Sequence, residues 1–213
     1  MASPTGEKSV SKPLLKKEDG RTLRSATTRR SVAEAYLNLL DGGDLRPTAK
    51  AIAAEAGVSE RAVFRHFQDM ETLHSEAAEL QIQRVGAEMP PLAPEVGPLE
   101  ARAAALALRW CTINERVTPV RRVALLHEPF APEIARRLRW VRKSARVEIE
   151  TTFTGELSAF EGAARTRALA ALAASLSWET WSELRTRHGL ACEEARETVA
   201  AMLEAVLRGF AKS

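Results

Sequence analysis

The stretch from Thr48 to Phe67 reads TAKAIAAEAGVSERAVFRHF, and its punctuation leaves little freedom in how it can fold. Thr48 is a natural N-cap, its hydroxyl suited to accept from a free backbone N–H, and the alanine-rich residues after it carry a short helix to about Ala56. Gly57 supplies the positive φ that ends a helix sharply, and Ser59 caps a second short helix from Glu60 to His66. Ile52, Ala53 and Ala56 give the first helix a small apolar face that the second can approach closely, while Val58 fills the gap beneath the turn. Two short helices joined by a tight glycine turn make a helix-turn-helix.

The outward face of the second helix carries the chemistry. At about 100° per residue, Val63 and Phe67 mark its buried direction, so Arg61 and Arg65 project nearly opposite, with Phe64 and His66 on the flanks. Arginine forks onto guanine O6 and N7 in the major groove or holds phosphate, and the helix starts at Thr48 and Ser59 present backbone N–H groups suited to phosphate. Double-stranded DNA is the partner this surface predicts.

Charge agrees with that placement. The whole chain of 213 residues has a formal net charge of only +3, too little for indiscriminate binding of nucleic acid. Residues 1–68 hold twelve basic and eight acidic side chains, against nineteen and twenty in the remainder, so the positive end is the N-terminal third.

The rest of the chain reads as helix. Val32, Ala35, Tyr36, Leu39 and Leu40 form an amphipathic stripe in a helix starting at Ala26 and stopping at Gly42-Gly43. A longer helix begins near Gln68 or Asp69 and runs through Leu73, Ala77 and Leu80 toward Val85. Pro90, Pro91, Pro94 and Pro98 interrupt the chain before helices expected over Leu99 to Arg116, Pro119 to His127, Ala131 to Thr152, Glu161 to His188 and Cys192 to Phe210. No period-two run of β-branched residues bounded by turns occurs, so the predicted class is all-α.

A first helix, the segment TAKAIAAEAGVSERAVFRHF and a long helix opening on Asp69 to Leu73 together resemble the DNA-binding domain of the TetR family of bacterial repressors, over residues 26 to 75. The resemblance implies a homodimeric transcriptional regulator that binds a pseudo-palindromic operator and is released from it by an unknown small-molecule effector. Carried onto this chain, Thr48 bonds a phosphate with Lys50 beside it, Ser59, Glu60, Arg61, Ala62 and Arg65 face bases or backbone, and His66 contacts phosphate. Phe64 stands where the family usually has a phosphate-binding tyrosine and Met70 where a lysine is frequent, each loss worth about 1 kcal/mol. The expected organisation is a flexible basic arm over 1–24, a helix-turn-helix DNA-binding domain over 25–75, and an all-helical ligand-binding and dimerisation domain over 76–213. The arm is suited to enter the minor groove or grip phosphate.

Within that larger domain, Val199, Met202, Leu203, Val206, Leu207 and Phe210 form one continuous stripe on the last helix, and Leu169, Leu172 and Leu176 form another on the helix before it. Paired with their copies they would build a four-helix bundle across a two-fold axis; an intramolecular core is the other reading of the same stripes. The need to span half-sites roughly 34 Å apart favours the dimer. All four tryptophans lie in this part of the chain. Trp178 and Trp181, three residues apart, are expected to face a pocket with Trp110 and Trp140, completed by Asn114, His127, Glu179 and Arg185.

Other function classes find no support. The longest apolar run, Ala168 to Ala174, is far below a membrane span, and no secretory h-region is visible, so a cytoplasmic protein is expected. Cys111 and Cys192 suit free thiols, Cys111 as a buried structural one, and no metal pattern or cofactor motif is present. Neither HExxH, GxSxG nor a glycine-rich phosphate loop occurs, so no enzyme is expected. The alternative to a regulator is a helical ligand-binding or interaction protein with a vestigial helix-turn-helix.

Overall fold

The computed structural model describes residues 20–210, without the side chains of Arg21 and Phe210. In chain order these residues form α1 (Gly20–Asp41), α2 (Ala49–Glu55), α3 (Glu60–His66), α4 (Met70–Glu88), α5 (Leu99–His127), α6 (Pro132–Thr152), α7 (Thr154–Leu157), α8 (Gly162–Ser175), α9 (Trp178–Ser182), which runs on into a π-helical turn (Glu183–Arg187), and α10 (Cys192–Phe210). The fold is all-α, a helix-turn-helix unit at the N-terminal end joined to a larger helical body, with no strand among the described residues. No helix among them is long and apolar enough to cross a membrane.

Two cores hold it together. The first gathers Val32, Tyr36, Leu37 and Leu40 of α1, Ile52 of α2, Val63 of α3, Phe67 and Leu73 with Val120 and Val123 of α5. The second joins Leu106 and Trp110 of α5, Ile149 of α6, Phe153, Leu169 and Leu172 of α8, Trp181 of α9 and Leu203 of α10. Because α5 contributes to both, the helix-turn-helix unit is seated on the body rather than tethered to it. α4 packs on α1 and α5 alike, so the boundary expected after residue 75 falls inside a continuous helix.

Three elements differ from the sequence expectation. Helix α1 begins at Gly20, so the last residues assigned to the basic arm are its first turn, and residues 1–19 lie outside the described part. Pro119 does not divide α5, which stays helical from Leu99 to His127. A proline there removes one backbone donor, and side chains take up carbonyls in the same turns: Thr118 Oγ1 donates to Asn114 O at 2.6 Å and Gln81 Nε2 of α4 to Arg116 O at 2.7 Å.

The helix expected from Glu161 to His188 is instead broken after Leu176. Ser177 takes an extended backbone and its Oγ accepts from Thr180 N at 3.1 Å, a fresh N-cap inside the alanine-rich run. Asn114 Nδ2 donates to Leu176 O at 3.1 Å, and Thr180 Oγ1 to Ala174 O at 2.7 Å, so the carbonyls at the break stay satisfied.

The apolar stripes assigned to the dimer are the molecule's own core. Leu169, Leu172 and Leu176 and, opposite them, Val199, Leu203 and Leu207 are all buried within the single chain. Only Met202 and Val206 of that set are partly exposed, and the Phe210 side chain lies outside the described residues. The reason is geometric: α10 lies between α5 and α8, and one stripe cannot face both them and a partner.

At the junction of the two cores, Tyr36 Oη meets His74 Nδ1 at 3.2 Å, and the His74 ring is 6.4 Å from that of His127. Burial, then the charges of His127 and Arg137, pushes His74 down to about 4, and burial pushes Tyr36 up to about 12. His74 is therefore neutral in the folded protein at pH values where it is protonated in the unfolded chain. Stability is complete above about pH 6.5 and falls as pH drops toward 4, by roughly 3 kcal/mol at most. Melting temperatures measured from pH 7.5 to 4 should fall less steeply for His74→Gln than for the parent; equal slopes would remove His74 as a source of acid sensitivity. Leu203→Ala should cost about 2–5 kcal/mol in urea unfolding, a loss a solvent-facing position would not show.

Candidate nucleic-acid interface and internal cavity

The helix-turn-helix forms as its caps dictate. Thr48 Oγ1 accepts from Ala51 N at 3.1 Å and Ser59 Oγ from Ala62 N at 3.2 Å. Between them Gly57 adopts φ 65°, and Val58 N donates to Ala53 O at 2.9 Å, closing the end of α2 with a Schellman-type bond. Helix α3, seven residues long, cannot hold itself, and α2 and α1 hold it. Arg29 donates through Nη1 to the carbonyl of His66 at the end of α3 and through Nε to Glu76 of α4 at 2.6 Å, with its guanidinium 4.4 Å from the centroid of the Phe67 ring.

Thr48, Lys50, Ser59, Glu60, Arg61, Phe64 and Arg65 are all exposed. Arg61, Arg65 and Lys50 form no ion pair or side-chain hydrogen bond among the described residues, so their charges are open to a partner. Phe64 is 54% exposed, an aromatic ring on a surface that would otherwise favour polar side chains.

Two residues assigned to this surface are less accessible than the rest. Ala62 is buried, standing next to Val63 at the edge of the packed side of α3. His66 is half-buried: its Nε2 is shielded from solvent and bonded to nothing, and burial followed by the charge of Arg65 holds its pKa below the usual histidine value. Sequence periodicity places it on a flank, and Arg29 bonds the backbone carbonyl of the same residue.

A cavity of about 570 Å³ lies inside the larger body. Its walls are Ala78, Gln81, Ile82 and Val85 of α4, the Trp110 to Ala124 side of α5, the Arg137 to Glu148 side of α6, and Ser177, Trp178 and Glu179 at the start of α9. Trp110, Asn114, Trp140, Trp178 and Glu179 are thus brought together as expected from sequence. Trp110 Nε1 donates to Glu148 Oε2 at 2.9 Å and Trp178 Nε1 to Thr118 Oγ1 at 2.9 Å, which fixes both rings in the wall.

Trp181, His127 and Arg185 are elsewhere. Trp181 is enclosed in the core, since the break at Ser177 reorients α9, and Arg185 lies 5.7 Å from its ring centroid and bonds Glu115 and the Leu190 carbonyl. His127 lines a separate hollow of about 420 Å³ with Tyr36, His74 and the exposed Phe130. Sequence reasoning missed Arg121, a buried cationic residue of the cavity wall; its surroundings on α5 are charged and polar enough that nothing in the spacing singles it out. Cys111 is buried, and burial pushes its thiol up to about 12, far from a reactive thiolate. Among the described residues no three His, Cys, Asp or Glu side chains gather as a metal-binding group.

Residues 42–77, the helix-turn-helix with the start of α4, match the family described as bacterial regulatory proteins, tetR family. No curated protein matches the chain. Among solved structures, the chain is similar to a transcriptional regulator from Rhodococcus sp. Rha1, with a TM-score of 0.65 and 16% identity over 85% of this chain and 96% of that one. It is also similar to a protein from Mesorhizobium loti MAFF303099 named as a TetR-family transcriptional regulator, with a TM-score of 0.61 and 20% identity over 87% of this chain and 98% of that one. These likenesses extend the shared fold across the larger body, and the match over residues 42–77 marks the helix-turn-helix and the start of α4 as a domain of the tetR-family type.

Proposed function

We propose that the protein is a homodimeric transcriptional repressor that binds a pseudo-palindromic DNA operator and leaves it when a small-molecule effector fills the cavity in its larger domain. The observation that carries this reading is the double role of α4. Its first turns bear the Arg29–Glu76 link to the recognition helix α3, and its second half, Ala78 to Val85, is a wall of the cavity. A ligand that fits the cavity best with α4 displaced would move α3 with it, provided its affinity differs between the two positions. In a dimer such a shift changes the separation of two recognition helices that must enter successive grooves roughly 34 Å apart.

On the DNA side, Arg61 and Arg65 are the groups suited to base edges, Thr48 and Lys50 to phosphate, and Phe64 to the methyl group of a thymine or to a sugar. With its core stripes committed inward, the chain would dimerise through the outer faces of α8 and α10. Ala163, Ala170 and Ala174 on one helix and Ala201 and Ala205 on the other lie exposed there, small enough for close approach, with Met202 and Val206 partly exposed on α10. The DNA-binding domain is taken as α1 to the start of α4, and the remainder as the ligand and dimer domain.

Fluorescence anisotropy on DNA upstream of the protein's own coding region, at two salt concentrations, tests the regulator reading: specific binding should weaken steeply with salt, and no specific binding at low salt would refute it. Arg65→Ala should weaken operator binding by about 1–3 kcal/mol and relax discrimination at one position, whereas an unchanged affinity would exclude Arg65 from base readout. Ala170→Arg should convert the dimer to monomer in light scattering with secondary structure retained; a persistent dimer would place the interface elsewhere.

A further inference from the structure

We infer that the cavity selects a ligand with an aromatic or apolar body and one carboxylate, the carboxylate pairing with Arg121. The inference rests on the cavity being the effector site and adds the chemical class of the effector.

Helix α5 buries two arginines, and they differ in one respect. Arg102 has its donors used: Nε to Gly97 O at 3.0 Å, Nη1 to Thr152 O at 2.6 Å and to Glu156 at 3.0 Å, and Nη2 to Glu156, with the Phe153 ring centroid 5.7 Å away. Arg121 is as deeply buried, at 8% exposure, yet it forms no hydrogen bond or ion pair among the described residues, and its Nε is shielded from solvent with no acceptor. Guanidinium does not shed its proton in a protein, so a buried arginine without a partner is an unfilled demand for an anion. Burial is the leading influence on this group, pulling its pKa below the usual value.

The other charges of the wall cannot meet that demand, because they are engaged or distant. Glu148 holds Arg109 at 3.0 Å and the Trp110 indole. Arg142 is paired with Glu128 at 2.9 Å, and Arg137 bonds Ser75 O at 3.0 Å and Glu79 at 3.4 Å. Glu179 and, more weakly, Glu128 are the negative charges felt by Arg121, but Glu179 is exposed, Glu128 is paired with Arg142, and neither makes an ion pair with Arg121. Asn114 donates through Nδ2 to Leu176 O and makes no hydrogen bond to Arg121. A carboxylate, with two acceptor oxygens matched to the arginine fork, fills the vacancy in geometry and charge. The Trp110, Trp140 and Trp178 rings with Leu138 and Val141 offer its body an apolar bed, and about 570 Å³ is the size of an ordinary small-molecule site.

Three probes of one shape test this on the full chain by calorimetry and tryptophan fluorescence: naphthoate, naphthalenemethanol and naphthylmethylamine. Naphthoate should bind at least tenfold tighter than the alcohol. Arg121→Met should abolish that preference while leaving alcohol binding within about threefold, and Arg121→Lys should restore part of it. Arg121→Met should also melt no lower than the parent, since it removes an unpaired buried charge; a marked fall in melting temperature would make Arg121 a structural residue and overturn the inference. Equal binding of all three probes, or a preference that survives Arg121→Met, overturns it while keeping the cavity as a binding site. Tightest binding of the amine overturns it in favour of Glu179. Binding of none of the three overturns the effector-site reading together with the inference.

Discussion

A single guanidinium, that of Arg29, joins the three helices on which DNA recognition depends. Arg29 belongs to α1, takes the terminal carbonyl of α3, pairs with Glu76 of α4 and covers the Phe67 ring between them. A seven-residue helix has too few internal hydrogen bonds to persist alone, so the direction in which Arg61 and Arg65 point is set by the packing of Val63 and Phe67 against α1 and α2 together with this clamp. Next to this clamp the His66 ring is half-buried, with its Nε2 shielded from solvent. α4 and α3 are thus linked through Arg29 by two hydrogen bonds and one packed ring.

The larger body is organised by polar groups at a break. Ser177 ends what the alanine run would have continued, and Asn114, Thr118 and Trp178 form a chain of hydrogen bonds across it from α5 to α9. That break sends Trp178 to the cavity and Trp181 to the core. In a low-dielectric interior such satisfied networks rigidify their surroundings, and a single unsatisfied member stands out. Arg102 and Arg121 show the contrast on one helix, the first saturated by backbone and Glu156, the second open to the cavity.

Much of this was legible from residues. The caps at Thr48 and Ser59, the glycine turn, the outward Arg61 and Arg65 and the four-proline linker are local features governed by backbone conformation and helical periodicity, and each is found where the sequence places it. The structure brings Trp110, Asn114, Trp140, Trp178 and Glu179 to one cavity, but helical periodicity does not separate them from Trp181, which lies in the core, and Trp140 is largely exposed at the cavity's edge. The extent of α5 through Pro119 was not legible, because the acceptors there are served by side chains from an adjacent turn and from α4.

The sequence by itself determined the all-α class, the helix-turn-helix and its basic outer face, because caps, glycine and a 3.6-residue period act within a few residues of one another. Only the tertiary structure decided what each apolar stripe faces. Leu169, Leu172, Leu176, Val199, Leu203 and Leu207 have the same periodicity whether they meet their own chain or a copy, and it is the position of α10 between α5 and α8 that turns them inward. Only the tertiary structure, likewise, left Arg121 buried without an acceptor, since a missing partner is a property of every element packed around a residue and of none of them singly.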